Sequence, residues 1–403
     1  MQWVNAFSTQ PSLETAVKEV AAMAQQSLHA PADLALVFIS SAFASDYPRL
    51  MPLLREYLHV PCLIGCGGGG IIGSSPHLTE AQEVEREPAL SLTLASLPDV
   101  QLKFFHLEET DLPDLDSPPD RWTELIGVPK SDRPQFLLFA DPTTPGIKDL
   151  LQGLDFAYPG SPKVGGLASA GMTNQGMSLF GNYQHYHNGI LGLALSGNVV
   201  MDTIVAQGCR PIGQPYQIAQ GERNIIMTVE SEAGGEQAPL QALQDLLGQL
   251  SEGDRTLAQN SLFIGVARDE FKQDLAQGDF LIRNLIGLDP RNGAIAIGDR
   301  ARPGARIQFH LRDAQTSAED LEMRLQLQTQ NERSAMGALL FSCLGRGAGL
   351  YGQPNFESQQ INRYFGDIAL SGFFANGEIG PVGGSTFLHG YTSVLAIFRP
   401  LAL

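Results

Sequence analysis

The chain has 403 residues, a hydrophobic fraction of 43% and a formal net charge of −17 at pH 7. This length predicts more than one domain, because a single hydrophobic core rarely organises so long a chain. The negative charge repels the phosphates of nucleic acids and of anionic membranes, so we expect neither as a partner.

Signals for membrane insertion or export are also missing from the sequence. No apolar run reaches the roughly 18 residues that a transmembrane helix needs. The N-terminus lacks the basic and apolar regions of a signal peptide. Four cysteines in a chain of this size do not form a disulfide framework. We therefore expect a soluble cytoplasmic protein without membrane insertion.

In the first half of the chain, apolar runs typical of strands alternate with helical patterns. Residues 12–29 carry apolar side chains at helical spacing, which predicts an amphipathic helix. Further helices are predicted at 48–58 and 147–157, and strands at 34–40, 61–65, 88–97, 101–107, 136–140, 163–168 and 188–207. This alternation indicates an α/β fold.

The pattern loosens between Arg210 and Arg223, where prolines and glycines interrupt it, and we expect a domain boundary there. Beyond it, helices are predicted at 240–250 and 316–330, and strands at 224–230, 261–267, 279–287, 305–311, 339–343, 369–375 and 387–398. The predicted fold is two α/β domains with mixed, largely antiparallel sheets packed against helices. The sequence shows no convincing internal repeat.

Several familiar cofactor and catalytic motifs fail on inspection. The glycine run at 65–70 formally fits GxGxxG, but the residues after it do not start the helix that would hold a pyrophosphate. We interpret it as a glycine turn that lines a cleft. Neither the cysteine spacing nor the pair His185 and His187 supplies enough ligands for zinc. No GxSxG elbow is present. We therefore predict no cofactor, no metal and no catalytic residue, and we expect a protein that is not an enzyme.

Two charged side chains, Arg346 and Glu378, each follow a predicted buried strand. A charge at such a place is either paired or available to a ligand. One interpretation is a salt bridge between the two residues, or with other partners. The other is a clamp for a small zwitterion, in which the Arg346 fork holds a carboxylate and Glu378 receives an ammonium or hydroxyl group. The neighbouring residues that would line such a site are Cys343, Asn376, Gly377 and His389.

Segments around these residues resemble the FIST family (F-box and intracellular signal transduction). The C-terminal half of that family is similar to residues 341–347, 372–381 and 389–392, and the N-terminal half to residues 36–40, 61–70 and 163–171. The resemblance implies a FIST N-like domain at 30–222 and a FIST C-like domain at 223–390. It also implies a sensory module that binds small ligands such as amino acids. The family establishes no catalytic residues that could be carried over.

The function hypothesis is a sensory, signal-transducing protein that binds a small polar metabolite, an amino acid or a similar compound. Since we expect no signalling output domain in this chain, the signal would pass to a separate protein partner of unknown identity. Two alternatives stay open. One is a protein-interaction scaffold, and the other is an enzyme that uses Cys343.

Overall fold

The computed structural model describes residues 1–78, 80–170, 177–231, 234–269, 272, 274–330 and 334–401. The chain forms two compact units, unit 1 from residues 1–206 and 322–403, and unit 2 from residues 207–321. Mixed sheets pack against helices, which confirms the predicted α/β fold class. Among the described residues, no helix is long and apolar enough to cross a membrane. Gly171, the last residue of the 163–171 segment, lies outside the described residues.

Unit 1 is built from three copies of one arrangement, which runs strand, helix, strand, helix and then four strands. The first copy (repeat 1) consists of β1 (Gln2–Ser8), α1 (Leu13–Ser27), β2 (Leu34–Ser40), α2 (Tyr47–Tyr57), β3 (Cys62–Gly68), β4 (Gly70–Gly73), β5 (Gln82–Glu85) and β6 (Leu90–Ser96). The second (repeat 2) consists of β7 (Val100–Leu107), α3 (Pro119–Ile126), β8 (Gln135–Ala140), α4 (Ile147–Ala157), β9 (Lys163–Leu167), β10 (Leu179–Gly181), β11 (Gln184–Tyr186) and β12 (Ile190–Gly197). Short 3-10 helices lie at Ser41–Asp46, Glu109–Asp111 and Lys130–Asp132.

The third copy (repeat 3) is interrupted in the sequence by unit 2. It starts with β13 (Val200–Gln207). The chain then forms β14 (Cys209–Glu222), β15 (Ile225–Ser231), β16 (Glu236–Gln237), α5 (Pro239–Gln249), α6 (Glu252–Ser261), β17 (Leu262–Ala267), β18 (Phe280–Leu288), β19 (Ile295–Ile297) and β20 (Arg306–Arg312). Repeat 3 resumes with α7 (Ala314–Thr329), β21 (Gly337–Cys343), α8 (Ala348–Tyr351), α9 (Phe356–Phe365), β22 (Ala369–Ala375), β23 (Glu378–Val382), β24 (Ser385–His389) and β25 (Thr392–Arg399).

The three sheets of unit 1 share one strand order and exchange strands in a cycle. The orders are β1-β6-β2-β3-β10-β11, β7-β12-β8-β9-β23-β24 and β13-β25-β21-β22-β4-β5. Each sheet holds four strands of its own repeat and ends in two strands supplied by another repeat. Repeat 1 gives two strands to the sheet of repeat 3, repeat 3 to that of repeat 2, and repeat 2 to that of repeat 1. The exchange links the three repeats within one unit.

A glycine marks the same position in each repeat. In the parallel pairs β2–β3, β8–β9 and β21–β22, the glycine lies opposite a backbone carbonyl of the neighbouring strand. A Cβ at Gly65, Gly165 or Gly372 would lie 1.8 Å from that carbonyl oxygen. Since no side chain fits there, the sequence must keep glycine, and this glycine aligns the repeats residue by residue.

The residue after the facing carbonyl is a phenylalanine in every repeat, and the three rings meet in the core. Phe38 lies 5.5 Å from Phe139 and 6.4 Å from Phe341, and Phe139 lies 5.8 Å from Phe341, between ring centroids. All three rings are fully buried. The expectation that the chain has no internal repeat was therefore wrong. The repeats share a register and a core but few identical residues, and unit 2 divides the third one.

Unit 2 holds a seven-stranded sheet in the order β14-β20-β17-β18-β19-β15-β16, with its own apolar core. The chain enters this unit after Ala206, close to the predicted boundary, but returns to unit 1 at Glu322. The C-terminal strands therefore pack with the first 206 residues. The ranges 30–222 and 223–390 remain a prediction about family domains and do not coincide with these compact units.

Candidate functional site

The ends of two parallel strands place the predicted charged residues of repeat 3. After β21 ends at Cys343, a tight turn brings Arg346 back into the protein, where its side chain is buried. After β22 ends at Ala375, Asn376 and Gly377 form the turn into β23, which starts with the buried Glu378. Both charges are therefore withdrawn from solvent, and each requires partners inside the protein.

Arg346 is paired with a carboxylate from helix α9. Its Nε donates to Glu357 Oε1 at 2.5 Å, its Nη2 to the Tyr351 hydroxyl at 2.5 Å, and its Nη1 to the Tyr391 carbonyl at 3.4 Å. Burial alone would lower the pKa of Arg346, but the nearby Glu357 carboxylate and Tyr351 outweigh it, and the pKa is raised above its ordinary value. Arg346 is therefore a cation whose direct ionic partner is Glu357, not Glu378.

Within the described ranges, only one carboxyl oxygen of Glu378 has hydrogen-bond partners. Its Oε2 accepts hydrogen bonds from the Thr392 amide at 3.1 Å and the Thr392 hydroxyl at 2.8 Å. Its Oε1 has no hydrogen-bond partner among the described residues. Burial raises the pKa of Glu378 to about 8, although the Thr392 hydrogen bonds and Arg346 oppose this. At neutral pH a large fraction of this carboxyl therefore keeps its proton.

A third buried carboxyl, Glu83, was missed in the sequence. It lies on β5, and its Oε1 accepts from the amide and the hydroxyl of Ser358, both at 2.7 Å. Its Oε2 has no partner in the described part of the chain. Burial and then the Glu357 carboxylate raise the pKa of Glu83 to about 7. We call Glu83, Glu357, Glu378 and Arg346 the carboxyl cluster.

Serine hydroxyls extend the polar surroundings of the cluster. Ser393 Oγ donates to Glu357 Oε2 at 3.1 Å. Ser342 lies directly opposite Ser393 in the antiparallel pair β21–β25, so both side chains project from the same face of the sheet. The Ser342 hydroxyl is fully buried, and within the described ranges it has no hydrogen-bond partner.

The other two repeats show what this fold places at the position of Glu378. In each sheet, the first strand supplied by another repeat pairs with the strand that carries Gly65, Gly165 or Gly372. The residue that follows this glycine is Cys66, Gly166 or Phe373. Its partners across the strand pair are Leu179, Glu378 and Ile71, respectively. Ile71 and Leu179 are fully buried core residues. The position is apolar in two copies of the arrangement and a carboxyl in the third.

The same kind of replacement recurs at four further positions of repeat 3, two on strands and two on a helix. The pair Ser342–Ser393 corresponds by register to Ile39–Leu90 and to Ala140–Ile190. On the helices, buried residues fall at the same spacing in Leu50, Met51 and Leu54 of α2, Leu150, Leu151 and Leu154 of α4, and Glu357, Ser358 and Ile361 of α9. Repeat 3 therefore carries polar or ionisable groups where its sister repeats carry core side chains.

The remaining predicted residues lie around the same strand ends. Asn376 is exposed, and its backbone N–H donates to the Leu167 carbonyl at 3.1 Å. The Gly377 carbonyl accepts from the Leu167 amide at 2.8 Å. His389 lies opposite Glu378 in the pair β23–β24, and its Nε2 is 3.0 Å from the Gly380 carbonyl oxygen. Cys343 is partly exposed. Their contact with a ligand remains a prediction.

The predicted glycine run lies against the turn that follows β21. The Gly69 amide donates to Ser169 Oγ at 2.9 Å, and a Cβ on Gly69 would lie 2.5 Å from the side chain of Leu344. Glycine allows these turns to approach closely. Within the ranges that the structure describes, no group of three or more His, Cys, Asp or Glu side chains could hold a metal ion.

Two family domains match this chain in sequence. The FIST N domain matches residues 33–232 and the FIST C domain matches residues 239–381. The protein belongs to the FIST family, whose domains are associated with sensory signal transduction. The FIST C range includes residues of both compact units.

Relatives with similar sequences align with nearly the full length of this chain. The uncharacterized protein Rv0628c of Mycobacterium tuberculosis is 34% identical over 402 residues, with 97% of this chain and 98% of that protein covered. The uncharacterized protein Mb0898c of Mycobacterium bovis is 34% identical over 399 residues, with 97% of each covered. Among solved structures, a cyanuric acid hydrolase from A. caulinodans covers 100% of both chains, at a TM-score of 0.32 and 9% identity.

Proposed function

We propose that this protein is a sensory protein that binds a small polar ligand at the carboxyl cluster and passes the signal to a separate protein partner. One observation carries the proposal. Glu378 is fully buried, one of its oxygens has no partner among the described residues, and the same position is filled by Ile71 and Leu179 in the sister repeats.

Energetic reasoning supports a role beyond folding. An unpartnered buried polar atom costs about 1–3 kcal/mol, and more if the group is charged. The sister repeats fill the equivalent position with apolar side chains, which avoid that cost. A ligand that donates a hydrogen bond to Glu378 Oε1 would offset it in the bound state.

We assign the predicted residues the following roles. Glu378 contacts the ligand directly. Arg346 pairs with Glu357 and orients its carboxyl group. An anionic ligand group would compete with Glu357 and Tyr351 for the guanidinium. The turn of Asn376 and Gly377, together with Cys343 and His389, borders the ligand. The ligand is a small polar metabolite, an amino acid or a similar compound, and we assign the site no catalytic step.

Native mass measurement of the protein purified from its source cells tests this proposal. We expect a small molecule that remains bound to the wild type and is lost from Glu378→Gln. Glu87→Gln is the matched control, because Glu87 is exposed. The proposal is refuted if the wild type carries no small molecule and no polar metabolite raises its melting temperature.

A protein-interaction scaffold is a second candidate, favoured by an apolar surface on unit 2. Exposed apolar side chains lie on β15 and β18, with Ile225 39%, Met227 36%, Ile286 62% and Leu288 50% exposed. Such a group of side chains is typical of an interaction surface. Under this alternative, a protein partner would co-purify with the wild type and be lost from Ile286→Asp, while Glu378→Gln would keep it.

A further inference from the structure

The charges of the carboxyl cluster do not balance among the residues that the structure describes. Three carboxyls, Glu83, Glu357 and Glu378, are at most 6% exposed, as is the single guanidinium of Arg346. The contacts described above use that guanidinium to neutralise Glu357. Among the described residues, the other two carboxyls have no direct cationic partner, so there each must either hold a proton or meet another cation.

The cluster contains buried carboxyl oxygens that no donor among the described residues reaches. Glu378 Oε1 and Glu83 Oε2 are buried carboxyl oxygens without a partner in the described ranges, and the Ser342 hydroxyl, which can donate or accept, is a third buried group without one. On the donor side, the Arg346 guanidinium uses three of its five N–H groups on protein oxygens. A ligand carboxylate would add a further negative charge beside two carboxyls that lack a direct cationic partner among the described residues. A protonated amine would add donors and the missing positive charge.

The short helix α8 contributes one side chain to the surroundings of the cluster. Tyr351 on this helix bonds inward to Arg346 and to Glu357 Oε1, while Ala348 and Gly349 face solvent. Gly347 and Gly352 border the helix with positive φ angles of 65° and 70°, which glycine adopts without strain. A displacement of α8 about these glycines would remove Tyr351 from the cluster and open it to a small molecule.

We infer that the group recognised at this site is an organic cation, a protonated primary amine, which lies between the unpartnered carboxyl oxygens of Glu378 and Glu83. The inference rests on the proposed function and narrows it. The ligand binds through its ammonium group and needs no carboxylate of its own. Ion pairing with two buried carboxyls replaces the protons that they would otherwise keep.

Thermal-shift and calorimetric titrations with defined probes test this inference on the full chain. The probes are methylammonium chloride and putrescine dihydrochloride as cations, glycine as a zwitterion, sodium acetate as an anion and 1-butanol as a neutral compound, all at matched ionic strength. We expect a saturable rise in melting temperature with at least one amine and none with acetate or butanol. Glu378→Gln should weaken amine binding at least tenfold, and Glu83→Gln should weaken it as a second, independent variant. Glu87→Gln should bind as the wild type does.

Two results would overturn the inference and leave the proposed function standing. One is Glu378-dependent binding of glycine when neither amine binds. The other is a co-purified small molecule without an amine, held by the wild type and lost from Glu378→Gln. If no probe binds and no small molecule co-purifies, the proposed function fails together with the inference.

Discussion

Replacing Glu378 with glutamine tests whether this side chain holds a proton in the native protein. In the unfolded chain its pKa returns to the ordinary value of 4.5, whereas burial raises it to about 8 in the native state. Between these values the native protein binds a proton that the unfolded chain has released. Rising pH therefore favours unfolding, and the stability that protonated Glu378 provides below about pH 4.5 is lost as the pH rises through 8.

The size of the effect follows from the width of that pH window. A difference of one pKa unit corresponds to about 1.4 kcal/mol. Across the window the wild type should therefore lose on the order of 3–5 kcal/mol of unfolding free energy through Glu378 alone. Glutamine can present its oxygen to Thr392 as Glu378 Oε2 does, and it does not titrate, so Glu378→Gln should remove this loss.

Urea denaturation followed by tryptophan fluorescence measures this difference. The chain has two tryptophans, Trp3 and Trp122, and both belong to unit 1, so the signal reports the unit that contains Glu378. We expect Glu378→Gln to resemble the wild type near pH 5 and to exceed its stability by several kcal/mol at pH 8.5. The exposed control Glu87→Gln should follow the wild type. Equal pH slopes for Glu378→Gln and the wild type would refute the reasoning.

Three further predictions follow from the same contacts. Glu83→Gln should also flatten the pH dependence of unfolding, over the window from 4.5 to about 7, because burial and Glu357 raise the pKa of Glu83. Arg346→Leu should cost about 3–5 kcal/mol in urea denaturation at neutral pH, since it leaves Glu357 buried and unpaired, and Glu357→Leu in the same chain should restore most of that loss. Gly372→Ala should prevent unit 1 from folding, because the new Cβ would lie 1.8 Å from a backbone oxygen. Tryptophan fluorescence would report this loss. The control Gly349→Ala has open space around the new Cβ and should change stability by less than about 1 kcal/mol. An Arg346→Leu loss that Glu357→Leu fails to restore, or a folded Gly372→Ala protein, would contradict these expectations.

The long buried strands could be predicted from the sequence because their side chains form continuous apolar runs. The prediction 369–375 coincides with β22, and 339–343 falls within β21. The short strands β4 and β5 were missed, since one is rich in glycine and the other has the sequence QEVE. Both form only because another repeat offers its sheet edge, and a local pattern cannot contain that pairing.

The candidate site could be predicted only in part, for a related reason. The burial of Arg346 and Glu378 follows from their position after apolar strands. Glu357 and Glu83 lie in locally polar segments, and both are buried by tertiary contacts that a local pattern does not contain. Ser358, for example, lies 275 residues from Glu83 in the chain. Aligning the three repeats on Gly65, Gly165 and Gly372 could have identified these residues. The low sequence identity between the repeats hides that alignment.

The sister repeats also provide the substitutions that separate a structural role of the cluster from a functional one. Glu378→Ile introduces the side chain that repeat 1 has at the equivalent position, Ile71. Thr392→Ala removes the hydroxyl group that would otherwise lose its acceptor. By register, Thr392 corresponds to Ala89 of repeat 1. If Glu378 serves the fold, the double variant should be less stable than the wild type in urea at pH 8.5. The Thr392 amide also loses its acceptor in this variant. If Glu378 serves a ligand, the variant should still be at least as stable there, because an apolar side chain has no proton to lose and this gain offsets the unpaired amide. In that case ligand binding should disappear while tryptophan fluorescence still reports a folded unit 1. A destabilised variant that keeps the ligand would mean that the carboxyl is a structural element of repeat 3.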